Sequence, residues 1–206
     1  TKGRANKDRV LVEVGGIVPD DWKRMRTCFL FLGERGDEVR GKAGALLLAP
    51  DQKGRVFVKG IYVTFEPKLA YGYDFVDADV DRDRRMINSW ELPGLCRLVW
   101  QEALAQRPSL LDPFYGLLST GAPDAAGVAS WNVDKFPVAE LTAKFTKTHG
   151  PDAVPAKDMG ESKDMAHLGK IGVVVNEPLG AVLNKVMGSV KEALKDEVMA
   201  THGWHE

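Results

Sequence analysis

The residues best placed for chemistry lie in one run. Asp77, Asp79, Asp81 and Asp83 occupy every second position, and Arg82, Arg84 and Arg85 interleave with and follow them. The D-x-D-x-D spacing from Asp77 resembles the start of a calcium loop. The sixth position, however, holds Arg82 where the sharp turn needs Gly, and the twelfth holds Asn88 rather than a bidentate Glu. As a strand the run makes better sense. Residues two apart share a face, so the carboxylates line one side while Arg82 and Arg84 point to the other. Two guanidiniums on a rigid element, oriented by neighbouring carboxylates, form a fork suited to a phosphate or carboxylate.

Other signatures are absent. The sequence has no Gly-rich phosphate loop ending in Gly-Lys-Ser/Thr, no dinucleotide fingerprint, no nucleophile elbow and no zinc-protease helix motif. "GKAG" at residues 41–44 is too short to cradle phosphate and reads as a turn. His202 and His205 have His-x-x-His spacing in a polar terminal stretch. His167, in "MAHLG", is the one acid/base candidate in its half of the chain.

The elements that must carry the Asp/Arg run are legible in part. "RVLVEVGGIV" (9–18) reads as a strand. A helix follows over 19–32, with acids in its first turn and Trp22, Met25, Cys28, Phe29 and Leu32 at helical spacing. "AGALLLAP" reads as a short strand stopped by Pro50. "RVFVKGIYVTF" (55–65) alternates and is rich in β-branched and aromatic residues, so it reads as one strand. "LAYGYDFVDADV" (69–80) reads as its hairpin partner across "EPK". Helices are expected from Ser89 towards Arg107, over "SLLDPFYGLLSTG", and over 137–148, where Val138, Leu141 and Phe145 share a face. The stretch between 149 and 170 is Gly/Pro-punctuated, and "IGVVV" is a late strand. A long helix from Pro178 to Met199 would carry Leu179, Val182, Leu183, Val186, Val190 and Leu194 along one stripe.

The expected fold class is α+β: a small, mostly antiparallel sheet within residues 9–83 with the 19–32 helix packed on it, then a largely helical C-terminal half. The expected domains are 1–90, sheet-rich, and 91–206, mainly helical with one late strand.

Composition narrows the function classes. With 44% hydrophobic and 28% charged residues the chain is globular. A net charge of −1 gives no whole-chain case for a nucleic-acid binder, and leaves local patches such as Lys23, Arg24 and Arg26 open. No apolar run approaches the roughly 18 residues of a membrane span. Cys28 and Cys96 sit in apolar surroundings and read as buried thiols of a reducing, cytoplasmic compartment.

The span "RVFVKGIYVTFEPKLAYGYDFVDADVDRDRRMIN" resembles one region of the ATPase superfamily that includes gyrase, the large heat-shock chaperone, MutL and histidine kinases. In the chaperone branch a strand like "VFVKGIYV" is followed by a linker, an acidic strand and a segment carrying an arginine. That arginine reaches from the middle, or transducer, domain into the neighbouring ATP site. The resemblance puts Arg84 on this arginine and Asp77 and Asp81 near the preceding Asp and Asn, while Arg85 stands where a Glu would follow. Arg82 would be a second phosphate contact, and Lys59, on the neighbouring strand, a third. "FTKTHGPDAVPAKDMGESKDMAHLGKIGVVV" is similar to segments of phage and bacterial proteins with such an ATPase domain. The resemblance covers about a third of the chain.

The sequence lacks the Glu/Asn helix box and the Asp-x-Gly-x-Gly loop with which that superfamily binds nucleotide. The resemblance therefore implies a C-terminal module of a larger ATPase. It would be inactive and without cofactor in isolation, with ATP and Mg held by a missing N-terminal ATPase domain. A start at Thr1 without initiator Met or leader agrees with that expectation. The competing reading is a non-enzymatic binding or assembly module of phage origin, a homo-oligomer or the ligand of a partner protein. In it the Asp/Arg strand is an interface and the 178–199 helix packs a partner.

Overall fold

The computed structural model describes residues 15–33, 36–81, 89–129 and 133–189, together with Lys195 and Met199. It is α+β, as the sequence implies. Helix α1 (Pro19–Arg26) precedes five strands: β1 (Glu38–Arg40), β2 (Gly44–Leu47), β3 (Arg55–Val58), β4 (Ile61–Phe65) and β5 (Gly72–Phe75). They form one sheet in the order β1-β2-β5-β3-β4. All neighbours are antiparallel except β3 and β5, which run parallel at the centre.

Four expectations need correction here. Residues 55–65 are two strands, not one. The chain reverses at Lys59–Gly60, where φ is 53° and 78°. Two positive φ values in a two-residue hairpin give the handedness that matches strand twist. β5 therefore pairs in parallel with β3 and not as a hairpin with the whole of 55–65. β5 also stops at Phe75 rather than Val80. Beyond it both neighbours turn away: β2 begins at Gly44, β3 ends at Val58, and the last bond, Val76 N–H to Ala43 O, is 3.1 Å. Asp77 and Asp79 are thus exposed and outside any strand.

The 19–32 helix is the third correction. α1 ends at Arg26 and buries no residue. The chain then extends along β4, where Phe29 bridges Ile61 and the Tyr62 N–H donates to Cys28 O at 2.9 Å. Leu30, not α1, covers Ala45, Leu47 and Phe57 on this face of the sheet.

The opposite face packs α2 (Leu92–Gln106). Its Cys96, Val99, Trp100 and Ala103 join Val39, Leu46, Val56 and Tyr73 in one hydrophobic cluster. That cluster continues into α3 (Leu111–Thr120), α4 (Pro123–Ala126) and α5 (Val138–His149). Apolar periodicity drives these helices, and Gly121, at φ 67°, ends α3 in the left-handed conformation. A small βαβ unit follows: β6 (Ala153–Ala156), α6 (Met159–His167) and β7 (Ile171–Val174), with β6 and β7 parallel. Asp158 caps α6, accepting from the N–H groups of Gly160 and Glu161.

α7 (Glu177–Met187) is shorter than the expected 178–199 helix. It is closed by Gly188 at φ 75°. Leu179, Val182 and Leu183 are buried in the chain's own core, whereas Val186 is 59% exposed. Val190 and Leu194 lie outside the described residues. No helix among the described residues is long and apolar enough to cross a membrane.

Candidate functional site

Strand parity puts Arg40, Ala45, Asp74 and Phe57 in one row across the sheet, on the face away from α2. Asp74 is buried in this row at 3% exposure. A carboxylate there needs partners on both oxygens. Oδ1 accepts from the Gly60 N–H at 2.7 Å, and Oδ2 accepts from Arg40 Nη1 at 2.9 Å. Arg40 also donates to Glu38 from Nε at 3.2 Å and from Nη2 at 3.4 Å. Partial burial works against the guanidinium charge, but bonds and attraction from Glu38 and Asp74 outweigh it and raise the Arg40 pKa above its ordinary value. Arg107, just past α2, donates from Nη1 to both oxygens of Asp37 at 2.9 Å, which ties β1 to the helix.

Lys59 follows the end of β3, in the turn to β4. Its own N–H donates to Phe75 O at 2.9 Å, so the β3–β4 turn is locked to the end of β5. A lysine at φ 53° is strained, since its Cβ crowds the backbone where Gly or Asn would not. The turn, Asp74, Arg40 and Val76 line a cleft of about 300 Å³, closed on its other sides by Leu30 and Phe31. No ion pair holds the Lys59 ammonium among the described residues.

A second polar cluster lies inside the core on the α2 side. Asp124, fully buried at the start of α4, accepts from the Ala70 N–H at 2.9 Å, the Tyr71 N–H at 3.2 Å and the Tyr73 hydroxyl at 2.6 Å. Tyr73 in turn accepts from Trp100 Nε1 at 2.9 Å. Burial pushes the Tyr73 hydroxyl well above its ordinary range, reinforced by Cys96 and Asp124. Burial and Asp124 push the Cys96 thiol the same way. The network fixes the strand-to-helix junction.

Of the predicted site residues, Lys59 lies in the cleft described, beside the end of β5. Arg82 and Arg84, with Asp83 and Arg85, lie outside the described residues. His167 is exposed on α6, and the His149 ring packs on Phe145 with centroids 4.8 Å apart. Cys28 and Cys96 are both free thiols, and only Cys96 is fully buried. Among the described residues no cluster of His, Cys, Asp and Glu could hold a metal ion. Sequence reasoning missed Asp74, Arg40 and Asp124. The available signal was a single acid in the aromatic stretch "YGYDF" and another directly after Pro123.

No family model, curated protein or solved structure matches this chain.

Proposed function

We propose that this chain is a transducer-like module of a larger ATPase, supplying Arg84 to a nucleotide site in another domain. Arg82 and Lys59 assist it. The reading draws on the resemblance of residues 55–88 to the superfamily's arginine-bearing region. The observation that supports it is the shared end of the sheet. The Lys59 turn is bonded to the last residue of β5, and the chain leaves β5 there towards the Asp/Arg run. A cation with no ion pair among the described residues thus lies beside the end of β5, from which the chain continues towards the Asp/Arg run. ATP and Mg belong to the other domain, because this chain carries neither of the superfamily's nucleotide motifs. The protein works in the cytoplasm, in keeping with its two free cysteines.

An arginine delivered across a domain boundary acts on charge that builds up on the transferring phosphoryl group. Arg84→Ala in the full-length protein should therefore abolish hydrolysis and spare nucleotide binding. Unchanged turnover would refute the role.

A second reading, a binding or assembly module without catalysis, is favoured by Trp90. It is 76% exposed and shares a cleft with Leu95 and Leu98 of α2. Light scattering separates the two: a dilute, salt-independent monomer counts against assembly.

A further inference from the structure

On the same face of the sheet as Asp74, but towards α1, lies a separate cleft of about 470 Å³. Lys23, Arg26, Arg55, Asp51, Gln52 and Phe29 line it. We propose that this cleft binds a phosphate monoester, held by Arg55 and Arg26 with Lys23 in support. The proposal does not rest on the ATPase reading.

Both arginines are held in place before any ligand arrives. The Arg55 guanidinium lies 5.0 Å from the centre of the Phe57 ring and 5.1 Å from that of Tyr62, and it donates to Thr27 O. Arg26 donates from Nε to Leu32 O at 3.1 Å. Each anchor uses one N–H and leaves the rest of the fork for an anion, so little side-chain freedom remains to be lost on binding. The cations come from separate elements, Lys23 and Arg26 from the last turn of α1 and Arg55 from β3. Favourable interaction with the helix dipole accounts for basic residues at the end of α1. It does not account for Arg55, or for the ring pair beneath it.

Charge selects the ligand class. Three cations face one carboxylate, Asp51, whose Oδ2 accepts from Gln52 Nε2 at 3.0 Å. Lys23 is only loosely paired, 3.9 Å from Asp20, with both groups exposed. The lining therefore carries a net charge of +2, from 3 − 1. A phosphate monoester carries about −1.5 to −2 at neutral pH. A phosphodiester carries a single charge and leaves the cleft half-neutralised.

The test is calorimetric titration of the full-length protein with phenyl phosphate, and with methyl phenyl phosphate and phenol as the diester and neutral controls. A non-nucleotide probe keeps the result independent of any ATP site, and the Arg84→Ala protein should bind it unchanged. Phenyl phosphate should bind, the diester at least about tenfold more weakly, and phenol not at all. Arg26→Gln and Arg55→Lys should each weaken binding by about tenfold. Asp51→Asn, which removes the opposing charge, should tighten it by about threefold. Arg26 and Asp51 are exposed, so those two variants fold even if Arg55→Lys does not. Equal affinity for the diester would reassign the cleft to a phosphodiester backbone and overturn the proposal. So would absent binding of phenyl phosphate, or affinities untouched by Arg26→Gln and Asp51→Asn.

Discussion

Replacing Asp124 by Ala should cost a large share of the folding free energy. The carboxyl group is fully buried and accepts from two backbone amides and one hydroxyl. Ala leaves all three donors without their acceptor. An unmet buried donor costs about 1–3 kcal/mol. The Ala70 and Tyr71 amides are only part-buried, so water can reach them and each sits at the low end. The Tyr73 hydroxyl is buried beneath Trp100 and sits at the high end. The sum is about 3–6 kcal/mol, against roughly 5–15 kcal/mol for a typical domain. Asp124→Asn keeps the shape but turns one acceptor oxygen into a donor. It loses about one bond, roughly 1–2 kcal/mol. Urea unfolding followed by circular dichroism measures both. An Asp124→Ala protein within about 1 kcal/mol of the parent would refute the reasoning, because the three bonds would then contribute nothing net.

Two further outcomes follow from the same geometry. Folding should weaken in alkali. Burial holds the Cys96 thiol and the Tyr73 hydroxyl protonated above their ordinary values of 9.0 and 10.0, so the unfolded chain releases these protons first. This stability is complete below those values and is lost as pH rises through them, by up to about 1.4 kcal/mol per pH unit for each group. Urea midpoints between pH 8 and pH 11 check it, as buffer settings of roughly that range span both groups. The fall should be shallower in Cys96→Ala, and a flat profile would contradict the account. Lys59→Asn should raise stability by about 0.5–1 kcal/mol, since Asn tolerates the left-handed conformation that strains Lys. A lower melting temperature in that variant would show that the turn is not strained.

The helices were readable because their apolar residues recur at 3.6-residue spacing, as in α5, where Leu141 and Phe145 are buried on one face. The same signal overreached in α1. Trp22 and Met25 have helical spacing, yet they are 42% and 44% exposed, and α1 buries no residue. The turn at Lys59–Gly60 was hidden. Asn-Gly would have announced it, but Lys in the first position let alternation run through the break. The parallel pairing of β3 with β5 was hidden for a different reason. It depends on β5 inserting between β2 and β3, a contact that no local pattern encodes. β6 escaped notice because Pro155 reads as punctuation, while burial of all four of its residues makes it a strand. Lys59 was named a candidate for a place on the neighbouring strand, but it lies in the turn between β3 and β4. Asp74 was not legible, because its role comes from Arg40, which is 34 residues away in sequence and lies on another strand.

The central claim concerns an arginine acting on a phosphoryl group, and a mimic of that group tests it most directly. Binding of ADP with aluminium fluoride should be compared with binding of ADP alone in the full-length protein and its Arg84→Ala variant. The mimic resembles the transferring phosphoryl group, so a transition-state contact appears as lost affinity for it alone. An arginine of this kind contributes about 10³–10⁵ in rate. The account predicts ADP affinity unchanged in Arg84→Ala and affinity for the fluoride complex reduced by at least about a hundredfold. Equal loss for both ligands, no loss for either, or no nucleotide binding by the full-length protein would contradict it.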